Sequence, residues 1–244
     1  MERHRYLALL ATEGALLRRA AERDLSAAVP SCPGWDVRDV LRHTAEVYEH
    51  KIACVALGGP APDPWPPERP PESVSLGWYE DAHGRVLEML RTTDPAAPSW
   101  TWYPEDQTAG FWLRRMALET AVHRVDVELA FGDPTPVDRD LAIDGIDELL
   151  YLMFAGDWKG DEQPDLTGRV AVATSERTWT IRMMEDRVNV DDDAESGDGP
   201  VTVVAEPSAL LLWLYGRAPD HVVTVSGDTA VATRLRKRLA IATQ

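Results

Sequence analysis

Apolar residues recur three or four apart through the N-terminal part of the chain, and that spacing gives way to alternation further on. The first helix is expected from about His4 to Asp24, with Leu7, Leu10, Ala11, Leu17 and Ala21 on its apolar side. Val29-Pro30-Ser31-Cys32-Pro33-Gly34-Trp35 reads as a turn. Asp36 then serves as an N-cap, with Asp39 in the first turn, and a second helix runs to about Leu57 before Gly58-Gly59 stops it. Its apolar arc holds Val37, Val40, Val47, Cys54 and Val55, with His43 at the edge. From Gly58 to Ser73, prolines at 60, 62, 64, 66, 67, 70 and 71 rule out helix and predict extended loop. A third helix is expected over Val74 to Thr93, a loop rich in Trp and Pro over Asp94 to Thr108, a fourth helix over Ala109 to Phe131 and a fifth over Asp138 to Phe154.

Beyond that point Arg169 to Ala173, Thr178 to Arg182 and Val201 to Val204 read as strands by β-branched content and alternation. A helix follows Pro207-Ser208 and ends at Gly216, His221 to Ser226 is a further strand, and Asp228 opens a last helix through Arg238. The acidic run Asp191 to Gly199 reads as a solvated hairpin loop. Helices followed by mixed strands and helices predict an α+β chain of two domains, 1–156 and 157–244, divided near Gly156.

Composition narrows the partners. The formal charge of −16 makes nucleic acid and anionic membrane poor ones. No apolar run approaches the roughly 20 residues that span a bilayer, and the charged first residues argue against a cleaved export signal. Cys32 and Cys54 form no CxxC unit, so a reducing cytoplasm is the plain reading. Arginine far outnumbers lysine (only Lys51, Lys159 and Lys237), which together with abundant Ala, Asp and Pro suggests a GC-rich genome.

The fourth helix carries Glu119 and His123 four residues apart, one turn apart on one face. At about 100° per residue, Trp112, Met116, Val127 and Ala130 share that face, while Arg114, Arg124 and Glu128 point away from it. Burying an unpaired carboxylate and imidazole costs several kcal/mol, and a bound divalent metal is one resolution.

Ser31-Cys32-Pro33-Gly34-Trp35-Asp36-Val37-Arg38-Asp39-Val40-Leu41-Arg42-His43 resembles the N-terminal signature of the mycothiol-dependent maleylpyruvate isomerase family. Glu119-Thr120-Ala121-Val122-His123-Arg124-Val125-Asp126 looks like its second signature, and Leu212-Trp213-Leu214-Tyr215-Gly216-Arg217 with Val225-Ser226-Gly227-Asp228 is similar to its C-terminal domain. The resemblance implies a DinB-like four-helix bundle followed by a small α/β domain of sterol-carrier type. It implies a divalent metal, usually zinc, held by His43, Glu119 and His123, and the use of mycothiol, a sugar-linked cysteine thiol of actinobacteria. Family members include an isomerase, thiol transferases and proteins of unknown activity. The substrate does not carry over.

Two imidazoles and one carboxylate leave tetrahedral zinc a fourth position, the pattern of catalytic sites. A thiol bound there loses its proton and becomes a nucleophile at neutral pH. The thiolate adds to an activated cis double bond and leaves after rotation, or it opens a small-molecule electrophile and stays attached. The same donor set also suits Ni, Co, Mn or Fe. Asp126, one turn beyond His123, either orients a ligand imidazole or pairs with an Arg. Arg217 either clamps a substrate carboxylate or complements a helix C-terminus. Arg85 and Arg115 are weaker candidates for the clamp, with solvated or structural roles preferred. His50 is a rival ligand for which a surface role is favoured, Cys54 reads as core, and Cys32 as structural, with a catalytic thiol conceivable. His4, His83 and His221 read as surface residues. Trp35 and Trp112 are expected in the bundle core, with Trp100 and Trp102 at the cleft mouth or filling a gap between domains. Besides a thiol-using enzyme, two other readings stand: a binding or sensor protein without turnover, and a thiol-independent metal hydrolase.

Overall fold

The computed structural model describes residues 1–67, 74–157, 163–192 and 201–243, and it divides into two compact units, Met1–Thr135 and Pro136–Gln244. In the first unit four helices, α1 (Arg3–Ala21), α2 (Val37–Leu57), α3 (Leu76–Thr92) and α4 (Ala109–Leu129), form a bundle. α1 packs against α3 and α4, and α2 packs against the same two helices from the opposite corner. The bundle is the one expected.

The ends of these helices follow local chemistry. Asp36 caps α2 by accepting from the Asp39 amide, and the Asp39 side chain accepts from the Asp36 amide in return. Gly58 closes α2 at φ 60°, a left-handed conformation that glycine adopts without a Cβ penalty. Ser75 caps α3 through the Trp78 amide. Residues 68–73 of the proline-rich segment lie outside the described residues.

Burial departs from simple periodicity in two helices. In α1, Leu9, Leu10, Leu17 and Ala21 are buried, whereas Ala11 is exposed. α4 is buried on nearly every side, and Arg124 and Glu128, expected to face away from the core, lie inside it. Arg124 is fully buried: its Nε donates to Glu13 at 2.7 Å, and one terminal nitrogen donates to Glu128 at 2.8 Å and to the Thr135 carbonyl at 2.6 Å. A charge enclosed this way is tolerable because two carboxylates and a carbonyl accept from it. The network ties α4, which carries Glu119 and His123, to α1.

The second unit contains α5 (Arg139–Asp147), a π-helical stretch (Glu148–Phe154), β1 (Gly156–Asp157), β2 (Gly168–Ala173), β3 (Thr178–Met183), β4 (Arg187–Asp191), β5 (Val201–Val204), α6 (Pro207–Leu214), β6 (Thr224–Ser226) and α7 (Thr229–Ala242). The sheet order is β1-β4-β3-β2-β5-β6, with only the β2–β5 pair parallel. α7 lies on β2, β5 and β6. At Gly168 (φ 151°) a Cβ would come within 2.6 Å of Val231 on α7, so glycine permits that approach. The units divide after Thr135, not near Gly156 as the pattern suggests, because α5 packs against α6. The fifth helix runs into π-helical geometry instead of continuing as α, and β4 lies where the sequence pattern marks no strand. The hairpin expected over the acidic run cannot be described, since residues 193–200 lie outside the described residues.

Candidate metal centre

His43 lies near the start of α2, and the preceding turn fixes its approach. The Val29 amide donates to the Trp35 carbonyl at 3.0 Å, and the Trp35 ring lies 5.3 Å from the His43 ring. Glu119 and His123 come from the middle of α4. One ligating atom from each of the three residues lies within 4.8 Å of the others. Glu119 Oε1 stands 3.1 Å from His43 Nε2 and 3.2 Å from His123 Nε2. Ligands about 2.0–2.2 Å from a tetrahedral cation sit roughly 3.3–3.6 Å apart, close to the two spacings from Glu119 to the imidazoles. The His43 side chain is 38% exposed, against 13% for Glu119 and 10% for His123, so the cluster is reached by solvent beside α2 and closed on the α4 side.

The surrounding groups hold this arrangement. Asp126 is fully buried, with Oδ2 at 2.9 Å from His123 Nδ1, while Oδ1 accepts from Ser31 Oγ at 2.6 Å. A carboxylate on Nδ1 favours the tautomer that turns the Nε2 lone pair toward Glu119 and His43. Asp126 thus stands where it orients the His123 ring. Ser31, whose contribution the sequence does not reveal, links the turn before α2 to α4.

Arg115 pairs with Glu119 Oε2 through its guanidinium, which explains its burial and removes it from the set of free substrate clamps. Burial opposes ionisation of Glu119, but the adjacent Arg115 cation, with the two imidazoles, holds its carboxyl well below the usual range. Burial likewise opposes the charged form of His123, yet the Glu119 and Asp126 carboxylates outweigh it and raise the imidazole to about 9. The pocket is therefore built to stabilise positive charge beside a carboxylate, which a divalent cation supplies as well as a proton does. On donor type, spacing and orientation the residues fit such an ion.

The remaining candidates fall elsewhere. Arg85 is held at the bundle surface by Glu49 at 2.8 Å and Asp81 at 2.7 Å. Arg217 belongs to the second unit, where it donates to the Tyr215 carbonyl at 2.8 Å just past α6. His50 stands outside the cluster and is half-buried: it packs against Trp65 (5.3 Å) and Trp100 (5.7 Å), and burial lowers it to about 4. Cys54 is buried beside it, as expected, and Cys32 is half-buried. His83 also departs from the surface role, being half-buried and stacked on Tyr79 at 6.0 Å. His4 and His221 are exposed, as expected. Trp112 is fully buried, as expected, with Trp100 packed on it at 6.4 Å, while Trp102 packs on Phe111 at 5.0 Å. These contacts lie within the first unit.

Comparison with known families matches residues 7–128 to the mycothiol maleylpyruvate isomerase N-terminal domain and residues 140–234 to the corresponding C-terminal domain. No curated protein sequence matches the chain. Among solved structures, the crystal structure of the mycothiol-dependent maleylpyruvate isomerase is similar at 15% identity, with a TM-score of 0.62 and 93% of each chain covered. A histidine-to-alanine mutant of that isomerase is similar at 13% identity, with a TM-score of 0.63 and 93% of each chain covered. At these identities the likeness shows a shared fold.

Proposed function

Because the chain belongs to the mycothiol maleylpyruvate isomerase family, we propose that it is a metal-dependent enzyme that uses mycothiol to act on a small electrophile. The reaction class is cis–trans isomerisation or thiol S-transfer. The observation that carries this reading is the convergence of His43, Glu119 and His123 on one point with a solvent-reached side. Zinc is the ion this donor set favours, and when bound it supplies a Lewis-acidic position that lowers the pKa of an incoming thiol.

The protein's own groups do the rest. Asp126 fixes the His123 ring, and Ser31 fixes Asp126. Arg115 keeps Glu119 ionised, so the carboxylate is ready to ligate without first losing a proton. Among the described residues no helix is long and apolar enough to cross a membrane. A cytoplasmic setting, which keeps Cys32 and Cys54 reduced, belongs to the same proposal.

The test follows electrophile consumption with and without mycothiol. Saturable turnover that needs the thiol and disappears in Glu119→Ala supports the reading. Equal turnover without thiol contradicts it and favours hydrolysis instead.

A further inference from the structure

Two of the cations once eligible to hold an anionic ligand are already matched by carboxylates: Arg115 by Glu119, and Arg85 by Glu49 and Asp81. Lys51 on α2 is different. Among the described residues no carboxylate oxygen lies within 4.0 Å of its Nζ. That atom instead stands 3.1 Å from His50 Nδ1 and 4.4 Å from the centre of the Trp112 ring. Lys51 follows His43 by eight residues, about 12 Å along the helix axis. Helical side chains tilt toward the N-terminus, here toward His43. The ammonium is close enough to the metal cluster to feel both Glu119 and Arg115, and burial lowers it to about 8.

Its surroundings are flat rings. Trp112 is buried, Trp100 packs on Trp112, and His50 packs on Trp100 and Trp65. Lys51, His50, Trp65 and Trp100 all remain partly exposed. A lysine that merely filled this space would leave its ammonium desolvated with no carboxylate in contact, Glu119 acting only from a distance. An anionic ligand supplies the counter-ion.

We propose that Lys51 is the anion-anchoring, specificity-determining residue of this site, receiving the carboxylate of a flat, conjugated acid whose body lies along Trp100, His50 and Trp65. The proposal rests on reading the neighbouring cluster as an active site.

Calorimetry on chelator-treated protein tests it, using cinnamate and cinnamamide, which share the ring and double bond and differ in charge. Wild type is expected to prefer cinnamate by at least about tenfold, the effect of one charge-assisted hydrogen bond. Lys51→Met abolishes that preference, and Lys51→Arg restores most of it, which a purely structural role would not produce. An undiminished preference in Lys51→Met, or none in wild type, overturns the proposal. Thermal melts confirm that both variants fold. Because the assay contains neither metal nor thiol, its outcome is separable from that of the metal and turnover measurements.

Discussion

Asp126→Asn isolates the group that orients His123. The substitution keeps volume and planarity, and the amide oxygen can still accept from one of the two neighbours, His123 Nδ1 at 2.9 Å or Ser31 Oγ at 2.6 Å. The negative charge is lost. In a fully buried position that charge raises the basicity of the imidazole and selects its tautomer. Loss of such a partner lowers metal affinity by about 10- to 100-fold, or roughly 1.4–2.8 kcal/mol at about 1.4 kcal/mol per decade. Competition with a chromogenic zinc chelator measures the change, and circular dichroism of the metal-free proteins checks that the bundle is intact. Ser31→Ala should lose less than about tenfold, because the carboxylate keeps its charge. Zinc affinity within about twofold of wild type in a folded Asp126→Asn protein refutes the orienting role.

Three other outcomes follow from the packing. Arg124→Met leaves the Glu13 and Glu128 carboxylates without their shared cation, and breaking a buried ion network costs about 3–5 kcal/mol, read as a lower urea midpoint; an unchanged midpoint contradicts it. Gly14→Ala places a Cβ 2.1 Å from the His83 ring. The helix gain of about 1 kcal/mol is then outweighed by overpacking of about 1–3 kcal/mol, so the melting temperature falls. His50 stays neutral in the folded bundle down to about 4 but takes a proton more readily when unfolded. Its contribution is therefore present above about pH 6.5 and lost as pH falls toward 4. His50→Gln should lose less stability than wild type between pH 7 and 5, and parallel urea titrations showing equal losses rule this out.

Much of the bundle was legible because its punctuation is chemical. Asp36, Asp39 and Gly58 mark the ends of α2, and Asp138 and Asp228 mark the starts of α5 and α7. The Glu119–His123 spacing is legible too, while His43 is marked by the family signature around it and not by periodicity. Periodicity failed where charge is buried. Arg124 and Glu128 read as solvent-facing because a sequence does not display Glu13, which supplies the counter-charge from another helix. The surroundings of Lys51, His50 and His83 are hidden for the same reason, since rings from distant segments make them. The strand Arg187–Asp191 does alternate, with Val188 buried between exposed Arg187 and Asn189, but it is short and easily taken for part of the acidic run. The unit boundary was misplaced because a helix carries no mark of which neighbour it packs on.

In the proposed site one cation joins His43, Glu119 and His123. Elemental analysis of protein purified without added metal tests it most directly, on wild type beside His43→Ala, Glu119→Ala and His123→Ala. Close to one equivalent of a divalent metal, zinc foremost, is expected per wild-type chain, with near-complete loss in His123→Ala. Equal metal in wild type and His123→Ala, or none in wild type even after incubation with zinc, contradicts it.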